Sequence, residues 1–132
     1  MTHHAEGNIE IQSWDEEPLV TIDADRKLTT TTVAQRFQGD IVGDGSATWL
    51  SVYFADGTAE YTGFQRIDGT VGGRAGSVVL RMSGGYDGTV ARSRWEAVPG
   101  AGTGDLDTLR GTGESNATSD GPPPYSLDYD LA

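Results

Sequence analysis

The stretch of this chain that most resembles a reactive site is GAGTGDLDTLRGTG, residues 100–113, because closely spaced glycines can leave backbone N–H groups free to surround a phosphate. Its spacing does not fit that chemistry. A P-loop needs G-x-x-x-x-G-K-[ST], and a dinucleotide fingerprint needs G-x-G-x-x-G between a strand and a helix. Neither occurs here, and Asp105 and Asp107 would put negative charge where a phosphate must sit. The chain has no cysteine, which removes disulfides, thiolate nucleophiles and cysteine zinc sites. His3 and His4 are adjacent and have no further ligands near them, a poor metal site. No metal and no cofactor is expected.

The remaining chemistry is that of a ligand cavity. Trp49, Tyr53, Tyr61, Gln65, Trp95, Tyr125 and Tyr129 together would make a lining that is apolar with a few polar handles, the usual composition of a small-molecule site. The alternative is a filled interior in which the same aromatics are plain core. Arg66, Arg81, Arg92 and Arg94 either contact an acidic ligand or pair with acidic groups on the surface.

Strands must position these residues. Asp44-Gly45, Asp56-Gly57 and Asp87-Gly88 each separate strand-like runs, and Asp-Gly readily takes the positive φ of tight hairpins. Between them side chains alternate with a period of two. Tyr125, Leu127, Tyr129 and Leu131 alternate with Ser126, Asp128 and Asp130. Ala91, Ser93, Trp95 and Ala97 share one face, and so do Tyr61, Gly63, Gln65 and Ile67. Ile9, Ile11 and Ser13 oppose Asn8, Glu10 and Gln12, which places Glu10 outside. Residues 46–55 are apolar on both faces and are expected to be covered on both sides. Glycines 63 and 69 are expected to bend or bulge the long run at 58–73.

Runs near 7–14, 28–42, 46–55, 58–71, 75–86, 89–98, 110–118 and 124–131 give eight strands, and no stretch has a helical period. The expected fold is all-β: an eight-stranded antiparallel closed barrel of up-and-down, lipocalin-like form, with Leu106 and Leu109 plugging one end. Residues 1–132 make one domain, with 1–4 as a flexible N-terminal tail. Twenty acidic against nine basic residues give a formal charge of −11, which repels nucleic acid and anionic lipid. No apolar run is long enough for a signal peptide or membrane span, so a cytoplasmic protein is expected. A homo-oligomer is compatible with this composition.

Four segments carry a family likeness: SWDEEP at 13–18, DGTAEYTGFQRIDGTVGGRAGSVVL at 56–80, VPGAGTGDLDTLRGTG at 98–113 and YSLDYDL at 125–131. The chain resembles the bacterial, functionally uncharacterised branch of the allene oxide cyclase-like barrel proteins. The resemblance implies an eight-stranded barrel with a ligand-sized interior. The inward aromatics point to binding of a small hydrophobic or aromatic metabolite, and the resemblance implies the alternative of a cyclase or isomerase acting on one by confinement. It implies departures as well. The plant cyclases use a carboxylate on the first strand, whereas Glu10 faces outward, and Gln65 stands where members of this branch often have glutamate. An amide orients a ligand but cannot shuttle a proton at neutral pH.

Overall fold

Period-two alternation rich in β-branched and aromatic residues covers most of the chain, and strands form wherever it runs. The computed structural model describes residues 2–131; Met1 and Ala132, the ends of the expected domain, lie outside the described residues. The strands are β1 (His3–Thr21), β2 (Lys27–Gly39), β3 (Ile41–Tyr53), β4 (Ala59–Val71), β5 (Arg74–Tyr86), β6 (Ala91–Ala97), a two-residue β7 (Thr103–Gly104), β8 (Arg110–Ala117) and β9 (Pro124–Asp130). The eight long ones pair antiparallel in the circular order β1, β2, β3, β4, β5, β6, β8, β9, and β9 against β1 closes the ring. This is the expected eight-stranded closed barrel. No helix among the described residues is long and apolar enough to cross a membrane.

Several local expectations are corrected. Asp44-Gly45 is not a turn; both residues lie within β3, where Asp44 pairs with Arg36 and Gly45 with Gln35. The hairpin falls earlier, at Gly39, whose φ of +106° suits a residue without Cβ. The N-terminal tail is absent at His3 and His4, which lie in β1 and pair with Tyr129 and Asp128 of β9. His3 stacks on Tyr129, and the His4 ring hydrogen-bonds Asp128 and Glu6. The outer face of β3 is not covered, since Leu50 is 52% exposed. Gly63 and Gly69 sit in an unbroken ladder with β3 and mark no bulge. A Cβ at Gly63 would strike the Thr48 carbonyl oxygen and the Cα and Cβ of Trp49, so the glycine lets β3 and β4 approach closely there.

The bulges are in β1. Its register against β2 slips between Ile11 and Ser13 and again between Pro18 and Val20. Beyond Asn8 the strand outruns β9, so its stretch from Glu10 to Thr21 pairs with β2 alone among the described residues. The hairpin of β1 and β2 therefore extends past the ring. One end of the barrel is packed solid with Phe37, Ile41, Ile67, Val71, Leu80 and Leu127. Leu106 (1% exposed) and Leu109 (3%) belong to this core. Their segment is anchored by β7 against β5, and successive tight turns then fold it back: the Leu106 N–H donates to Thr103 O and the Leu109 N–H to Leu106 O, both at 3.2 Å. The glycine-rich segment is thus a leucine-bearing plug.

Candidate functional site

Above the plug the interior is open. A cavity of about 310 Å³ lies inside the barrel, walled by Trp14, Trp49, Tyr61, Met82 and Trp95 and reaching the end ringed by Tyr53, Ala59, Tyr86, Ala91, Ala117 and Pro123. That volume is at the small end of the range for ligand pockets, room for one to three rings. None of its lining side chains is charged.

Of the residues singled out in the sequence, Trp49, Tyr53, Tyr61, Gln65 and Trp95 line this cavity, because odd-numbered positions of β3, β4 and β6 face inward. Tyr125 and Tyr129 face the same interior but lie in the packed end and do not line the cavity. Tyr125 serves as a strut there. Its hydroxyl accepts from the Ile41 N–H at 2.9 Å and donates to Gln38 O at 2.9 Å, which ties β9 to the β2–β3 hairpin. Phe37, Trp95 and Tyr125 pack ring to ring, with centroids 5.5–6.1 Å apart, and of the three Trp95 lines the cavity. The arginines lie on the exterior: Arg66, Arg81 and Arg92 pair with Asp68, Glu96 and Asp87, and Arg94 is likewise exposed. Glu10 faces outward, where it accepts from the Gln38 side chain.

Three side chains that matter were missed in the sequence, two of them for one reason. The bulge after Ile11 shifts the phase of β1, so that Trp14 and Glu16 turn toward the interior while Asp15 and Glu17 turn out. Nothing in the run IQSWDEEP signals that slip. Trp14 meets Trp49 edge-on at 5.3 Å, and Trp49 leans on Tyr61 at 6.0 Å. Glu16 sits at the rim, accepting hydrogen bonds from Tyr53 (2.5 Å) and Thr29 (2.8 Å). Gln35 of β2, the third, faces inward and is 7% exposed.

The electrostatics separate rim from depth. Partial burial pushes the Glu16 carboxyl up, but the hydrogen bonds from Tyr53, Thr29 and Trp14 and the charge of Lys27 outweigh it, so the group lies below its ordinary value. The Tyr53 phenol is pushed up to about 12, by burial first and then by donating to Glu16. Tyr61 is raised by burial, partly offset by its 2.6 Å hydrogen bond with Ser93. At neutral pH the rim therefore holds one ionised carboxylate and neutral phenols.

Deeper in, three buried polar atoms have no hydrogen-bond partner: Gln35 Oε1, Gln65 Nε2 and Thr31 Oγ1. Folded interiors satisfy nearly all such atoms, and leaving one bare costs about 1–3 kcal/mol. Gln35 and Gln65 both line the cavity. Between them β3 presents only Gly45, opposite Gln35, and Ala47, opposite Gln65. The Phe37 ring occupies the space over Gly45. Among the described residues no group of three or more His, Cys, Asp or Glu side chains is placed to hold a metal.

Among curated proteins nothing matches the chain. Among solved structures it is similar to a protein of unknown function from Shewanella oneidensis MR-1, solved at 1.84 Å and assigned to the DUF3224 family. The two are 23% identical, with a TM-score of 0.80 over 100% of this chain and 99% of that one. That likeness supports the barrel. The family model described as protein of unknown function (DUF3224) matches residues 5–129, from the inward Ala5 of β1 to the buried Tyr129 of β9. This barrel, with its leucine plug and aromatic cavity, belongs to the DUF3224 family.

Proposed function

We propose that the protein binds a small hydrophobic or aromatic molecule inside its barrel. One observation carries the reading: a cavity of about 310 Å³ walled by indoles and a phenol, with Gln35 and Gln65 in its lining and no charged side chain. A barrel that had evolved only to be filled would close that space with side chains. The allene oxide cyclase-like likeness of the sequence points toward the same use of the interior.

A cyclase or isomerase acting on such a ligand is the second reading. Glu16 is held ionised below its ordinary value and Tyr53 is held protonated with a value near 12, so neither changes protonation easily near neutrality. Any such reaction would proceed by confining a near-attack conformer.

All three tryptophans of the chain, Trp14, Trp49 and Trp95, line the cavity, so its intrinsic emission reports on this site. The test is titration with an uncharged hydrophobic fluorophore while tryptophan emission is followed. Saturable energy transfer at one dye per chain is expected. A response that stays linear and unsaturated for several such dyes would overturn the reading.

A further inference from the structure

Resting on the reading of the cavity as a binding site, we propose a ligand class: an aromatic amine, cationic at neutral pH, with its flat body among the indoles and its ammonium at the rim beside Glu16. The walls suit the charge as well as the ring. Trp14, Trp49, Tyr53, Tyr61, Tyr86 and Trp95 all line the cavity, and the faces of such rings carry the negative potential that attracts cations. Trp14 and Trp49 stand at 74° with centroids 5.3 Å apart, so the two indoles form adjoining walls of a corner rather than a flat stack. Lys27, outside the lining, lies over the Tyr53 ring at 5.0 Å, so a cation of the chain itself already seeks that ring.

The counter-charge is built into the same wall. Glu16 accepts hydrogen bonds from Tyr53 and Trp14, and both donors line the cavity, which holds the carboxylate at its edge. The Tyr53 and Thr29 bonds both fall on Oε2. A carboxylate has about four acceptor sites, so with Trp14 as a further donor Glu16 keeps room for an N–H from a ligand. Among the described residues no Lys, Arg or His forms an ion pair with it, and Lys27 acts on it only from a greater distance. An ammonium bearing N–H groups completes both requirements, a charge-assisted bond to the carboxylate and contact with the ring faces. An acid would meet Glu16 with like charge and find no cationic side chain in the lining. The formal charge of −11 on the whole chain attracts cations and repels acids from further away.

The experiment compares three molecules of one skeleton by calorimetry and ligand-observed NMR at pH 7: 2-naphthylmethylamine, 2-naphthylmethanol and 2-naphthoate. The amine is expected to bind at one per chain and about tenfold tighter than the alcohol, with the acid weakest. In Glu16→Gln the amine should lose its advantage while the alcohol keeps its affinity. Lys27→Met, which leaves the carboxylate in place and removes a competing cation, should strengthen amine binding; the absence of any gain overturns the placement beside Glu16. An alcohol that matches the amine on the wild-type protein overturns the ligand class. So does an amine advantage that survives Glu16→Gln, which would trace it to diffuse attraction by the acidic surface. If none of the three binds, the cavity reading itself falls, an outcome distinct from binding in the wrong order.

Discussion

Replacing Gln65 with methionine should make the protein more stable, although it alters a residue at the heart of the candidate site. Gln65 is 3% exposed and its Nε2 has no partner. Methionine has the same unbranched length and an adaptable thioether, so the volume is conserved while the bare N–H group is removed. An unsatisfied buried donor costs about 1–3 kcal/mol, and allowing for imperfect repacking the expected gain is about 1–2 kcal/mol. Unfolding entropy of about 2.1 cal/mol/K per residue over the 132 residues of the chain gives about 0.28 kcal/mol/K, so Tm should rise by about 4–7 °C. The assay is thermal unfolding followed by circular dichroism, with urea titration to check that the m-value is unchanged. Ser115→Ala provides the contrast. Its hydroxyl donates to Pro124 O at 2.9 Å, so its loss should lower stability by about 0.5–1.5 kcal/mol. If Gln65→Met melts at or below the wild-type temperature, the amide is already satisfied in the folded protein, and the reasoning from a bare donor fails. A gain would identify Gln65 as a residue kept at the expense of stability, a common property of binding positions.

Two further outcomes follow from the same geometry. Leu106→Ala, which empties a position 1% exposed within the plug, should destabilise by about 2–5 kcal/mol in urea titration; a loss under 1 kcal/mol would contradict its place in the core. The Glu16–Tyr53 contact should contribute to stability only between two pH limits. Glu16, depressed by folding, contributes above its unfolded value of 4.5 and loses that contribution as pH falls through its lowered folded value. Tyr53, raised by folding, contributes below 10 and loses that contribution as pH climbs toward about 12. Tyr53→Phe should therefore raise the Glu16 pKa in carbon-detected NMR; an unmoved titration would show that Tyr53 does not hold the carboxylate.

Much of the architecture could be read from alternation alone. The inward faces of β4, β6 and β9 were evident because a single unbroken period of two runs through Tyr61–Ile67, Ala91–Ala97 and Tyr125–Leu131. Leu106 and Leu109 were legible as a plug because two leucines among glycines and aspartates have no reason to sit in water. The turn at Gly39 was not, because Asp44-Gly45 offers a stronger hairpin signal and only pairing with Gln35 and Arg36 shows it to be strand. In the site the limit was register. Trp49, Gln65 and Trp95 lie on strands without slips, whereas Trp14 and Glu16 depend on a bulge that leaves no compositional mark. Tyr125 and Tyr129 were correctly placed inside, but depth along the barrel is set by how β9 staggers against β1, a long-range property that local pattern does not carry. Gln35 was hidden by its neighbours, since a lone amide in a threonine-rich strand resembles an outward residue.

The outer edge of β1 from Glu10 to Thr21, which no described strand covers, also bears on how the protein behaves in a crowded solution. Bare strand edges are where chains zip together into filaments. Here the edge reads Asp15-Glu16-Glu17-Pro18, so a second copy laid antiparallel about Glu16 would bring acid against acid, at a position followed by a residue with no N–H to offer. The hairpin that overhangs the mouth is thereby insulated against its own kind. It can stay long enough to shelter a cavity without seeding aggregation, and replacing those acids with threonine would turn the overhanging hairpin into a polymerising one.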